Sequence, residues 1–260
     1  MTPPPRPSLG ARPGLLDLWR GLCLPYAAWR CIKGSSRLRG LSALCALVTA
    51  ASLVGLVAGL WRVAPAWVGY AWPRPLDSAL ALFFWQGAVA LAFGVLFVAG
   101  ASAVPLLLLA PLQDPLSEAT EALYDSGAPR AFSPARVARQ SLSALSHTAQ
   151  RVGLLLLGHA LLLPLNLFAG AGSVLWTALG LSWTLWWSAA EYLSLPMARH
   201  LYPFSEVRRA MRARPLLAVG FGAAVSVTLW IPLLNLFLVP LAVVGGTLYF
   251  RVLRETQAFA

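Results

Sequence analysis

Charge is scarce in this chain. Only 11% of its 260 residues are charged, against about 25% in an ordinary soluble domain. Hydrophobic types fill 58%, where about 45–50% is usual. Too few polar residues remain to cover a soluble globule, and too many apolar ones are present for disorder. Reactive side chains are just as sparse. The three cysteines, Cys23, Cys31 and Cys45, form no Cys-x-x-Cys pair and no zinc-type cluster with histidine. They read as free, reduced thiols at a cytoplasm-facing end. The three histidines, His147, His159 and His200, stand far apart and have no glutamate at metal-ligand spacing. No Gly-x-Ser-x-Gly elbow, Walker loop or Asn-x-Ser/Thr site occurs. No catalytic residue, metal or other cofactor is predicted, and the chain reads as a non-enzyme.

What is abundant is arginine and long apolar runs. Twenty basic residues face nine acidic ones, for a formal net charge of +11, and Lys33 is the single lysine. The cations flank apolar runs instead of forming a separate basic domain. That pattern fits a membrane topology signal better than a nucleic-acid surface. Attraction to the lipid bilayer or to an anionic substrate is compatible with it. The composition therefore predicts an all-α, polytopic membrane protein.

Residues 1–14 are Pro- and Arg-rich and read as a disordered terminus; 256–260 read as a tail. No apolar run lies near the start, which predicts no cleavable signal peptide, with the first long run acting as a signal-anchor. From Leu15 a stripe of Leu15, Trp19, Leu22, Tyr26 and Trp29 recurs at helical spacing, with Asp17, Arg20 and Gly21 off that face. It predicts either an amphipathic helix in the membrane interface or one packed on its own bundle, kinked at Pro25. A basic turn, Gly34 to Gly40, follows. Leu41 to Leu60 then supplies 20 uncharged residues, roughly 30 Å of helix and enough to cross a hydrocarbon core. Trp61, Trp67, Tyr70 and Trp72 form an aromatic belt in the linker beyond. Seven cations precede this span and two, Arg62 and Arg74, follow in the linker, which predicts a cytoplasmic N-terminus.

Ser78 to Leu109 is a second long run, expected to tilt or to project into the cytoplasm past Pro105. Asp114, Glu118, Glu121 and Asp125 precede Arg130, Arg136, Arg139 and Arg151. Asp114-Pro115 reads as an N-cap with proline at the first helical position, and Ser133-Pro134 repeats it. The acids fit a capped, solvated helix better than a metal site. Ala138, Leu142, Leu145, Ala149 and Val152 make an apolar stripe behind them.

Two further apolar segments, Val152 to Met197 and Leu216 to Phe250, leave and return to arginine-flanked ends. Their turns match closely: Leu163-Pro164-Leu165-Asn166-Leu167-Phe168 and Ile231-Pro232-Leu233-Leu234-Asn235-Leu236-Phe237 differ by one inserted leucine and by isoleucine for leucine at the first position. This weak internal repeat is of a kind found in transport folds. Pro164 and Pro232 should break the incoming helices, and Asn166 and Asn235 could cap the outgoing ones. Apolar arms of 12 and 16 residues favour half-penetrating hairpins, with a six-span bundle as the alternative. His159 is read as a neutral imidazole bonded to a helix carbonyl, or as a functional intramembrane group. Glu191 reads as paired with Arg199 or with a neighbouring helix. Gly220-Phe221-Gly222 suits close helix packing. The turn bearing Lys33, Arg37 and Arg39 leads into a helix N-terminus, where an anion is favoured; a pure topology signal explains it too.

Several stretches closely resemble the CysZ sulfate permease family, which shares a superfamily with etoposide-induced-protein-like membrane proteins. These are Phe221-Gly222-Ala223, the Ile231 to Phe237 block, Pro240 and Gly245-Gly246-Thr247. Ala110-Pro111-Leu112, Tyr192 with Pro196, and Pro203 to Arg208 also fit. The resemblance covers roughly residues 15–255, read as one membrane domain. It implies two long spanning helices, two half-penetrating hairpins and a homo-oligomeric sulfate channel or permease of the bacterial inner membrane. Such a protein would feed sulfate to assimilation and cysteine synthesis. It places the anion site at Arg37, Leu38 and Arg39. Leu38 and Arg39 match the family's Gly-Leu-Arg-Arg motif, whereas Arg37 replaces its glycine and Gly40 its second arginine. The tips bearing Pro164, Asn166, Pro232 and Asn235 are implied to shape the pore.

Overall fold

A computed structural model describes residues 14–75, 78–124, 134–168, 170–229 and 232–255. The segment up to residue 13, the tail 256–260, and Asp125, Arg130, Ser133 and Ile231 lie outside the described residues. Among the described residues all regular structure is helical. In chain order come α1 (Leu16–Gly34), α2 (Ser36–Ala71), α3 (Ala79–Ala122) and α4 (Pro134–Leu162). A 3₁₀ turn (Leu163–Leu167) leads to α5 (Ala171–Arg199), α6 (Phe204–Ala213), α7 (Pro215–Leu229) and α8 (Pro232–Glu255). Ser36–Ala71, Ala79–Phe97 and Ala138–Leu167 are each long and apolar enough to cross a membrane. The bent pair α6–α7, with its axes at 104°, would make a fourth crossing if counted as one span. The chain is thus the expected all-α membrane protein, with two long helices followed by two hairpins.

The long helices outrun their apolar runs. α2 has 36 residues and α3 has 44, roughly 54 and 66 Å at 1.5 Å per residue. α2 does not stop at Leu60. It carries Pro65 inside it and continues to Ala71, so the expected linker is largely helix. Trp61, Trp67 and Tyr70 sit on its last turns, exposed. α3 starts after Ser78, whose Oγ accepts the Ala81 N–H at 3.3 Å, an ordinary N-cap. It then runs unbroken through Asp114-Pro115, so this pair is not a helix start. Leu116, Ser117, Ala119 and Thr120 just beyond it are buried, and packing of that turn overrides the local breaker. Pro134, by contrast, does open α4.

The chain divides into two compact units. One is Ala43–Pro111, most of α2 and α3; the other comprises the residues before Ala43 and from Leu112 onward. In the latter, α1 crosses α7 and touches α8. Asp17, Gly21, Leu24, Ala28, Cys31 and Ile32 are its buried side. A Cβ on Gly21 would lie 2.4 Å from the Leu217 carbonyl oxygen, and one on Gly220 would lie 2.2 Å from that of Leu18. Two backbones meet there because neither residue has a side chain. Gly222 and Gly246 do the same against α5, at 1.8 Å from the Leu185 oxygen and 2.5 Å from the Tyr192 oxygen. Phe221, Tyr249, Phe250, Leu217 and Leu253 fill the core between them. The aromatic stripe of α1 points outward, with Trp19 67% and Tyr26 66% exposed. The packing of its other face on α7 and α8 is the second of the two readings of α1, and Pro25 lies within a helix that it does not interrupt.

Candidate functional site

The basic turn before the first span is a single residue. α1 ends at Gly34, Ser35 is extended (φ −120°, ψ 123°), and α2 begins at Ser36. The Ser35 Oγ accepts the Leu38 N–H at 3.4 Å, and its carbonyl accepts the Arg39 N–H at 3.0 Å. Ser35 therefore caps α2. Leu38 is fully buried and anchors the turn, whereas Ser36, Arg37, Arg39 and Gly40 are exposed. Both arginines sit in the first turn at a spacing of two, so they leave different sides of it. The N–H groups of Ser36 and Arg37 are first-turn donors with no carbonyl one helical turn below. Lys33, the third cation of the turn, lies over the Trp29 ring at 5.0 Å. The arrangement joins two exposed guanidinium forks to the positive end of a helix dipole, a combination suited to an oxyanion.

The two hairpin tips are built differently. Pro164 and Asn166 lie in the 3₁₀ turn, both exposed. The N-cap of α5 is Gly170, at φ 76°, with no side-chain cap, so Asn166 does not cap α5. It sits four residues too early. Pro232 is the first residue of α8, which puts Asn235 inside the helix and not before it. Capping needs a side chain just outside the first turn, so the asparagine-cap expectation fails at both tips.

Polar contacts gather elsewhere. His159 Nδ1 lies 3.0 Å from the Leu155 carbonyl, which the Trp183 indole N–H also reaches at 3.3 Å. His159 Nε2 is 3.3 Å from the Thr184 hydroxyl. This is the carbonyl-bonded imidazole expected from sequence. Glu191 pairs with Arg151 of α4 at 2.9 Å, not with Arg199. Arg199 instead pairs with Glu121, which His200 Nε2 also contacts at 3.0 Å. Arg251 donates to the Glu121 carbonyl at 3.4 Å and lies 4.7 Å over the Tyr124 ring. Burial alone would raise the Glu121 carboxyl, but the His200 hydrogen bond and the Arg199 charge outweigh it and hold it below its ordinary value. Glu121 is therefore no solvated helix acid. No group of three or more His, Cys, Asp or Glu residues could hold a metal among the described residues.

One functional-looking pair was missed in the sequence. Asp17 is buried and accepts from Arg214 at 2.9 Å and from Arg20 at 3.1 Å. Arg214 occupies the bend between α6 and α7, so the pair ties α1 to that corner. Asp17, Gly21, Leu24, Ala28 and Cys31 recur at helical spacing, a signal that the louder aromatic stripe hid. The cysteines are free. Burial pushes the Cys31 thiol up, against the Tyr124 hydrogen bond and the Arg30 charge, so it stays an inert thiol.

The family model described as sulfate transporter CysZ/etoposide-induced protein 2.4 matches residues 24–240. The match takes in the capped basic turn, both long helices, the first hairpin and the second hairpin's tip.

Proposed function

The chain belongs to the sulfate transporter CysZ/etoposide-induced protein 2.4 family, and we propose that it is a permease or channel for a small oxyanion, sulfate first. The exposed pair Arg37 and Arg39 in the Ser35-capped first turn of α2 carries this reading. Arg39 is the main anion contact; Arg37 and the N–H groups of Ser36 and Arg37 assist. Leu38 holds the turn in place from beneath.

The same reading sets the protein in a bacterial inner membrane as a homo-oligomer, with its N-terminus in the cytoplasm, supplying sulfate for assimilation and cysteine synthesis. It takes the hairpins as half-penetrating. In support, the described part of α7, in the second hairpin, has 15 residues, roughly 22 Å, short of a 30 Å core, whereas Ala138–Leu167 of the first is long enough to cross one. Pro164, Asn166, Pro232 and Asn235 then stand at the tips and shape or gate the pore. A second reading is a non-transporting scaffold on the same fold, favoured by Arg37 and Gly40 where the family motif carries glycine and arginine. Sulfate binding to the detergent-solubilised protein separates them. Arg39→Ala should weaken binding by about 1.5–3 kcal/mol, the range for a charge-assisted bond. Arg39 is exposed, so the variant should fold. Equal binding by both proteins would remove the site, and no binding by the wild type would favour the scaffold.

A further inference from the structure

The unit Ala43–Pro111 carries a groove that the oxyanion reading does not use. One face of α2 forms its floor, with Leu53, Val54, Val57, Ala58 and Trp61 recurring along the helix. Phe97 of α3 lines its side. That ring stacks on Phe93 at 6.1 Å, and Phe93 meets Trp61 edge-on at 6.3 Å. The groove holds about 600 Å³, within the span of small-ligand sites, roughly 300–1,000 Å³.

Among the described residues, Arg62 is the one charged residue lining it. No ion pair among the described residues includes Arg62. It follows the Leu41 to Leu60 run directly after Trp61, where arginine and tryptophan settle at headgroup depth. From Arg62 back to Leu53 is nine residues of helix, roughly 14 Å. That is about half of a 30 Å hydrocarbon core, the depth of one leaflet. Residues 61–75 contain Arg62 and Arg74 and no carboxylate, so the formal charge in that stretch is of one sign.

The geometry points to an anionic phospholipid seated in this groove, its phosphate on Arg62 and one acyl chain along Leu53, Val57 and Ala58 against Phe97. The chain segment is apolar and leaflet-deep. The charged end is a guanidinium, which binds phosphate oxygens as a fork. A net-negative headgroup is favoured because it carries no ammonium for the Arg62 guanidinium to repel.

Native mass spectrometry of the full-length protein in detergent tests this, with phosphatidylglycerol titrated against phosphatidylcholine. The wild type should retain one more tightly bound phosphatidylglycerol than Arg62→Gln, with no such difference for phosphatidylcholine. Val57→Trp, at a 41% exposed position, should fill the groove and lose the same single lipid. Arg74→Gln should keep it. An unchanged phosphatidylglycerol count in both Arg62→Gln and Val57→Trp would overturn the proposal. So would equal retention of both lipids by the wild type, which would make the groove ordinary lipid-facing surface. Loss of a protein dimer in Val57→Trp with the lipid count intact would assign the groove to a second copy.

Discussion

The two hairpins share a tip sequence and little else. In α4, His147 is the one buried side chain among those described, while Leu142, Leu145 and Leu156 are each more than 60% exposed. The arms of that first hairpin meet through polar contacts: Arg151 with Glu191, His159 with Thr184, and Trp183 with the Leu155 carbonyl. The second hairpin is the reverse. α7 and α8 bury Leu217, Phe221, Val225, Val243 and Tyr249, and they meet their neighbours through glycine. An apolar outside with polar ties inside suits a lipid-facing element. A glycine-lined apolar inside suits the element that holds the protein together. A repeated proline–asparagine tip therefore reports a shared reversal of direction and says nothing of burial.

The largest test of this contrast lies at the corner where α1 meets the second hairpin. Asp17→Ala leaves the Arg214 guanidinium without its carboxylate, in a pair whose side chains are 2% and 6% exposed. Breaking such a pair costs about 3–5 kcal/mol, to be read from the unfolding free energy in detergent. Next is Gly222→Ala, whose methyl would meet the Leu185 backbone. Overpacking of this sort costs about 1–3 kcal/mol. Leu145→Asn on α4 should stay within about 0.5 kcal/mol in the same detergent assay, as an exposed position does. Comparable losses at Gly222 and Leu145 would erase the distinction between the hairpins. The smallest effect is acid sensitivity. Glu121 is held below its ordinary value of 4.5, so its pairing stabilises fully above that pH and is lost as pH falls through the lower folded value. Glu121→Gln should flatten the acid limb of a melting-temperature profile, and an unaltered limb would deny Glu121 that role.

Much of the architecture was legible because helices in apolar runs need only length and spacing. The 20-residue run, the arginine-flanked returns and Gly220-Phe221-Gly222 as a packing motif all follow from local pattern. Boundaries were less legible. Asp114-Pro115 predicted a helix start and the apolar run an end at Leu60, yet α3 runs through the first and α2 past the second. The asparagines failed as caps because cap position is set to the residue and a turn displaces it. Partner choice was the least legible. Arg199 read as a candidate partner of Glu191 and Arg214 as one of the arginines flanking an apolar segment, but Glu121 and Asp17 claim them across 78 and 197 residues of chain. No local pattern carries such pairings. At the candidate site, the exposed arginines and buried leucine are a plain helical phase. The Ser35 cap is recoverable too, from a serine standing just before the run.

The account's central claim is that the first turn of α2 passes an oxyanion. Radiolabelled sulfate uptake into proteoliposomes tests it directly, with Arg39→Ala beside the wild type, empty liposomes as baseline, and chloride and phosphate as competitors. The account predicts flux above baseline in the wild type, competition by the tetrahedral anion more than by chloride, and a fall in the variant. Flux at baseline from folded, correctly inserted protein, or equal flux from the variant, would contradict it.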